Sequence, residues 1–288
     1  MTTTAVKSPV KVKHRSTRVN PLAHGLVWLY ALLLVIPIYF LLVSAFKDNS
    51  AIFNAPFALP TAVDFGNFVE AWTRVNMGAG LVNSVLVTVV AELLTLALAI
   101  PASYAIARSR GRIGGLVEKF FAAGFLIPGF AALVPTVLLA IAMGLFHTRE
   151  FLYLFFPASA LPLSVILLTQ FMRSVPPELE ESAMMDGASR LRILWSIYVP
   201  IVVPGIATVA ILNFLSFWNE FLFALILAGP DPDTRTVQVA LPNLVSQTDT
   251  QYGVLLAGAL ITMIPVYIVY IVLNRRLEDA LLQGAVKS

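Results

Sequence analysis

Six long apolar runs dominate this chain, and each meets or approaches the roughly 20 residues with which an α-helix crosses about 30 Å of hydrocarbon. They lie near 25–46, 81–107, 120–146, 151–172, 201–228 and 253–273. Inside a bilayer no water satisfies a bare peptide group, so a spanning segment must close its own hydrogen bonds, and runs of this length predict helices. The expected fold is all-α, a polytopic membrane protein with six transmembrane helices. Composition agrees: 58% of the 288 residues are hydrophobic and only 12% charged, where a soluble domain carries about 25% charged residues.

The placement of basic residues predicts the orientation. An N-terminus inside puts the loops 108–119 and 173–200 and the tail from 274 on the same side. Fifteen of the 19 Lys and Arg residues then lie inside, and only Lys47, Arg74, Arg149 and Arg235 lie outside. That excess satisfies the positive-inside rule with both termini cytoplasmic. The chain divides into a basic tail 1–24, a six-span transmembrane domain 25–274 containing a polar cytoplasmic segment 176–200, and a C-terminal cytoplasmic tail 275–288. No soluble fold backs the basic clusters, so nucleic acid is not an expected partner. The apolar run before Val43-Ser44-Ala45 is longer than the 7–15 residues or so of a cleaved signal, and is read as a retained first helix.

Pro37, Pro101, Pro128, Pro135, Pro157, Pro162, Pro204 and Pro265 fall within the expected spans. Each removes a backbone donor and relaxes a turn, which suits helices that repack and is equally ordinary in membrane helices. Two external loops are expected, 47–80 and 229–252. The first carries Phe53, Phe57, Phe65, Phe68 and Trp72, aromatics suited to headgroup depth or to a neighbouring subunit.

The polar segment is the most specific local feature. Pro176 and Pro177 end the fourth span and pre-set φ for a new helix, while Glu178 and Glu180 in its first turn complement the helix dipole. At 100° per residue Leu179, Ala183 and Gly187 share one face, and Glu178, Ser182 and Met185 lie roughly opposite. Gly187 is expected to end the helix in a left-handed turn, with a second short helix starting at Ala188-Ser189. On the residues alone, Glu181 reads equally as a solvated charge and Gly187 as a plain helix stop.

The spacing nonetheless has a known counterpart. Glu181, Ala183 and Gly187, then nine residues, then Ile197-Tyr198-Val199-Pro200 resemble the E-A-A, G, I-x-L-P signature of permease subunits in ATP-binding-cassette importers. Ser182 stands for its first Ala and Val199 for its Leu. The resemblance implies that this loop between spans 4 and 5 forms coupling helices in a groove of the ATPase, with a glutamate paired to a basic residue there. Glu181, Ser182, Ala183, Asp186, Gly187 and Pro200 are the coupling set it implies.

Phe217-Trp218-Asn219-Glu220-Phe221-Leu222-Phe223-Ala224-Leu225, the terminal Gln283-Gly284-Ala285-Val286-Lys287 and the Asn67-Phe68 region look like the carbohydrate branch, similar to the second, six-span permease of maltose-type importers. Gly284 and Lys287 would then reach the ATPase dimer interface. The implied partners are a second permease, two ATP-binding subunits, an extracytoplasmic solute-binding protein, a sugar and membrane lipid, in a bacterial or archaeal cell membrane.

No Gly-Lys pair exists for a P-loop, His14, His24 and His147 are scattered, and there is no cysteine. The chain is therefore expected not to be an enzyme and to hold no cofactor or metal. In the fifth span Asn213, Ser216 and Glu220 share a face with Asn219 at its edge. That face reads as a candidate translocation pathway or as contacts between helices. Two rivals stand beside the sugar reading: an importer permease for another solute, such as a polyamine or phosphate, and an ion-coupled carrier, for which only Glu92 and Glu220 offer membrane carboxylates.

Overall fold

The computed structural model describes residues 21–109, 111–246 and 250–285, and among these there are helices and no strand. In chain order they are α1 (Pro21–Ser44), α2 (Asn49–Asn54), α3 (Gly66–Arg74), α4 (Met77–Arg108), α5 (Arg112–Phe125), α6 (Gly129–Ala142) and α7 (Arg149–Arg173). Then come α8 (Pro177–Met185), α9 (Arg190–Ile193), α10 (Val199–Trp218), α11 (Leu222–Leu227), α12 (Val237–Ala240) and α13 (Tyr252–Ala285). A π turn over Leu194–Tyr198 joins α9 to α10 without a break.

Among the described residues five helices are long and apolar enough to cross a membrane: α1 from His24, α4, α7, the continuous Arg190–Trp218, and α13 as far as Val272. The third expected span differs. α5 and α6 together pass the same test but meet at 94°, so 120–146 is not one rod. Pro128 adopts φ −63° and ψ 127° ahead of Gly129, and a proline disfavours helical geometry in the residue before it. The apolar run continues through this corner, which is why hydropathy alone reads it as a single span.

One further boundary moves. The fifth helix begins at Arg190, well before residue 201, and stops at Trp218, with α11 resuming after Asn219-Glu220-Phe221. The sixth span, Tyr252–Val272, agrees with the expected 253–273, and helix continues beyond it to Ala285.

The core forms where α4 lies along α7. At the α8 end Ile100, Tyr104, Leu168, Met172, Ile193, Tyr198 and Val202 bury one another. At the opposite end Val87, Ala91, Phe156, Phe217 and Ala224 form a second cluster, and Ala71, Met77, Trp218, Val237 and Leu244 a third. In lipid these contacts stabilise through close packing, because the tails around them are just as apolar. Gly205 of α10 accordingly lies directly beneath the ring of Phe171 of α7.

The aromatics of the 47–80 loop make ring contacts within the chain while Phe53, Phe57, Phe65 and Trp72 stay exposed. Phe46, Phe65 and Phe68 cluster with ring centroids 5.0–5.9 Å apart, and Phe53 meets Tyr252 of α13 edge-on at 5.5 Å. By contrast α1 stands apart, with 6% of its apolar window buried.

Candidate functional site

α8 begins with Pro177 in its first turn and Glu178 and Glu180 beside it, where the missing donor costs nothing and the charges face the dipole. It ends in a Schellman arrangement. Gly187 sits at φ +79°, its N–H donates to the Met184 carbonyl at 3.0 Å, and the Ala188 N–H reaches back to the Ala183 carbonyl at 3.0 Å. The chain then turns into α9, whose start is capped by Ser189 Oγ accepting from the Arg192 N–H at 3.3 Å.

A helix of nine residues buries no residue completely and is too short to persist alone. Side chains hold it in place. The Glu180 carboxylate accepts from the Tyr104 hydroxyl at 3.1 Å and from the Tyr198 hydroxyl at 2.8 Å, and pairs with Arg108 Nε at 3.2 Å. Arg108 also donates to the Met172 carbonyl at 3.5 Å and to the Val175 carbonyl. Its guanidinium lies 5.0 Å from the centroid of the Tyr198 ring, which meets the Tyr104 ring at 4.8 Å. Ala183 adds apolar contact to the same cluster.

The inward face of α8 thus runs through Glu180 and Ala183. Glu180, Tyr104, Arg108 and Tyr198 are absent from the sequence-derived set. Their partners are far apart in sequence, and helix phase does not tell which of three neighbouring carboxylates turns inward.

The remaining residues of that set lie outward. Glu181 borders a cleft of about 140 Å³ with Arg108, Pro177 and Met184. Ser182 donates to the Glu178 carbonyl at 2.8 Å within its own helix. Asp186 is exposed at the helix end, as is Pro200 in the first turn of α10. Met185 projects with 88% exposure. Gly284 falls in the last turn of α13, and Lys287 lies outside the described residues.

The polar face of α10 divides. Asn213 is buried and exchanges hydrogen bonds with Ser164 of α7 at 3.1–3.2 Å, with the buried carboxyl of Glu92 of α4 beside it. Ser216 and Asn219 are exposed. Glu220 turns back on the chain, its two oxygens accepting from the Phe223 N–H at 2.9 Å and the Ala224 N–H at 2.7 Å. Among the described residues no group of three or more His, Asp or Glu side chains is placed to hold a metal ion.

Comparison with known proteins adds to this geometry. Residues 96–283 match the family described as binding-protein-dependent transport system inner membrane component. The diacetylchitobiose uptake system permease protein NgcG of Streptomyces coelicolor is 35% identical over 269 residues, 93% of this chain and 89% of that protein. The melibiose/raffinose/stachyose import permease protein MelC of Bacillus subtilis is 29% identical over 254 residues, 88% of this chain and 91% of that protein. A chain in the crystal structure of a bacterial ABC transporter involved in the import of the acidic polysaccharide alginate is 25% identical, with a TM-score of 0.77, covering 94% of this chain and 99% of that one.

Proposed function

The chain belongs to the family of binding-protein-dependent transport system inner membrane components, and we propose from that premise how it moves a sugar. It is a multi-pass protein of the cell membrane and a permease subunit of an ABC importer, and ATP is hydrolysed by partner subunits. The proposed cargo is a sugar, as the names of its relatives NgcG and MelC suggest.

In this reading the α8 end of the bundle faces the cytoplasm, as the basic residues favour, and six spans place both termini there. α8 and α9 dock on one of two ATPase subunits through Glu181, Ser182, Asp186 and the projecting Met185, while Gly187 sets the turn between them. Gly284 and Lys287 reach toward the ATPase dimer. At the other end an extracytoplasmic binding protein delivers the solute, and a second permease completes the pathway. Ser216 and Asn219 line it, with Asn213 and Glu220 holding the wall behind them.

The cycle is alternating access: nucleotide closes the ATPase pair, α8 shifts, and the binding preference changes from one face of the membrane to the other. The observation that carries this reading is α8 itself, fixed on its inner face and presenting polar and apolar groups outward. Its test is reconstitution of the complex in liposomes with the cognate binding protein. Radiolabelled diacetylchitobiose or raffinose should enter only with ATP inside. Uptake of a polyamine or phosphate in their place would overturn the sugar reading, and uptake driven by an ion gradient without ATP would overturn the importer reading as a whole.

A further inference from the structure

α8 carries adjacent glutamates that border one small cleft and differ in exposure. Glu181 lies on the outer face, at the rim of the small cleft. Glu180 lies on the inner face, with its side chain 12% exposed, against an Arg108 side chain that is 18% exposed. Two hydroxyl donors converge on Glu180, Tyr104 from the last turns of α4 and Tyr198 from the π turn that opens into α10, and the Arg108 guanidinium at the end of α4 pairs with it as an ion. Arg108 extends the joint to a fourth element, through the Met172 and Val175 carbonyls where α7 ends.

We infer that Glu180 and Arg108 are positioning residues that make α8 one rigid body with the ends of α4, α7 and α10, so that docking and transmission use neighbouring faces of one short helix. The inference rests on the ATPase-docking reading of α8. Because α8 buries no residue completely, apolar packing alone leaves it free to rock, and a push on its outer face would be lost as rotation. Hydrogen bonds to a charged group are shorter and stronger than neutral ones and fix direction as well as distance. Glu180 accepts from both sides of the joint, so displacing α8 strains all of its bonds together. A half-buried carboxylate and guanidinium also have no good alternative partners, which makes a partly opened joint costly. A displacement of α8 therefore reaches three spans at once.

The test uses the full complex in liposomes and compares Glu180→Gln with Glu181→Ala. Glu180→Gln keeps size and polarity while removing the charge, and should retain the ATPase through purification and hydrolyse ATP at close to the normal rate. Solute moved per ATP should fall about tenfold, in keeping with the loss of a hydrogen bond to a charged group. Tyr198→Phe, which keeps the ring and loses one donor, should fall less. Glu181→Ala should instead lose the ATPase.

A second readout does not depend on transport. The chain has no cysteine of its own, so spin labels at positions 185 and 105 report the α8 to α4 distance directly. That distribution should be narrow in the parent and about twofold broader with Glu180→Gln, as expected of a short helix released from its joint. An unchanged distribution or an unchanged solute-to-ATP ratio in Glu180→Gln overturns the inference, and so does loss of the ATPase equal to that of Glu181→Ala. Failure of the parent chain to retain any ATPase overturns instead the docking reading on which it rests.

Discussion

Two glutamates hold two short helices at opposite ends of this bundle, and they do so in different ways. Glu180 gathers side-chain donors from α4 and the π turn, elements remote from it in sequence. Glu220 takes the free amides of Phe223 and Ala224, in the turn that follows it. Both satisfy backbone or charge near a break, but only the first binds separate spans together. The Glu220 arrangement satisfies its break locally, and α11 is held instead by apolar packing, with Ala224 and Leu227 buried against Phe151, Leu152 and Phe156 of α7. The α8 end is thus tied by charged and polar groups from several elements, and the α11 end by apolar packing and one local cap.

The strongest way to break this contrast is at Gly187. Valine at φ +79° carries backbone strain of about 1–3 kcal/mol and swings α9 away from α8, so Gly187→Val should abolish uptake and ATPase retention while membrane insertion persists. Normal uptake would remove the coupling role of the turn. Next is Gly205→Ala, whose new methyl meets the Phe171 ring. Overpacking of this kind costs about 1–3 kcal/mol, visible as a lower midpoint of thermal unfolding in detergent, and Phe171→Leu in the same chain should recover most of it.

Glu220→Ala should cost about 1 kcal/mol, as the loss of a capping side chain does. Its effect should be confined to faster amide exchange at Phe223 and Ala224, with solute per ATP unchanged. A tenfold fall in that ratio would show that the two glutamates work alike. The smallest effect concerns Asp48, which caps α2. The Ala51 N–H at 2.7 Å and then the Ser50 hydroxyl hold its carboxyl below the ordinary 3.8. A lowered native pKa stabilises above the unfolded value and the gain is lost as pH falls through the native one. Protection of the Ala51 amide should therefore fade below about pH 3.8, and Asp48→Asn should keep the cap and lose that pH dependence.

Much of this architecture is legible from hydropathy, because five of the six apolar runs contain helices that pass the length and composition test whole. The corner at Pro128 is not, since seven other prolines sit inside helices that continue through them. Nor does its Gly neighbour set it apart, since Pro204 is likewise followed by Gly205 within the unbroken α10. At the site, Gly187 could be placed because a turn with positive φ has a local cause. Glu180 could not, because its role depends on Tyr104 and Arg108 more than 70 positions earlier. Likewise the spacing of Asn213 and Glu220 on one face is true of an ideal helix. It fails here because the helix stops at Trp218, and Glu220 turns to the amides beyond.

The isolation of α1 has a consequence of a different kind. A helix with 6% of its apolar window buried contributes almost nothing to the cooperative unfolding of the rest, and its location is a partition problem between lipid and protein surfaces. Its length suits it to cross the bilayer, and its ties to the rest gather at its C-terminal end, where the Tyr39 hydroxyl donates to the Phe57 carbonyl and Phe40 meets the Phe57 ring. Shape-changing substitutions along Trp28, Leu32 and Val35, all exposed, should be silent in the melting of the isolated subunit. They would register only as slower assembly, where the uncovered length of this helix must find its neighbour.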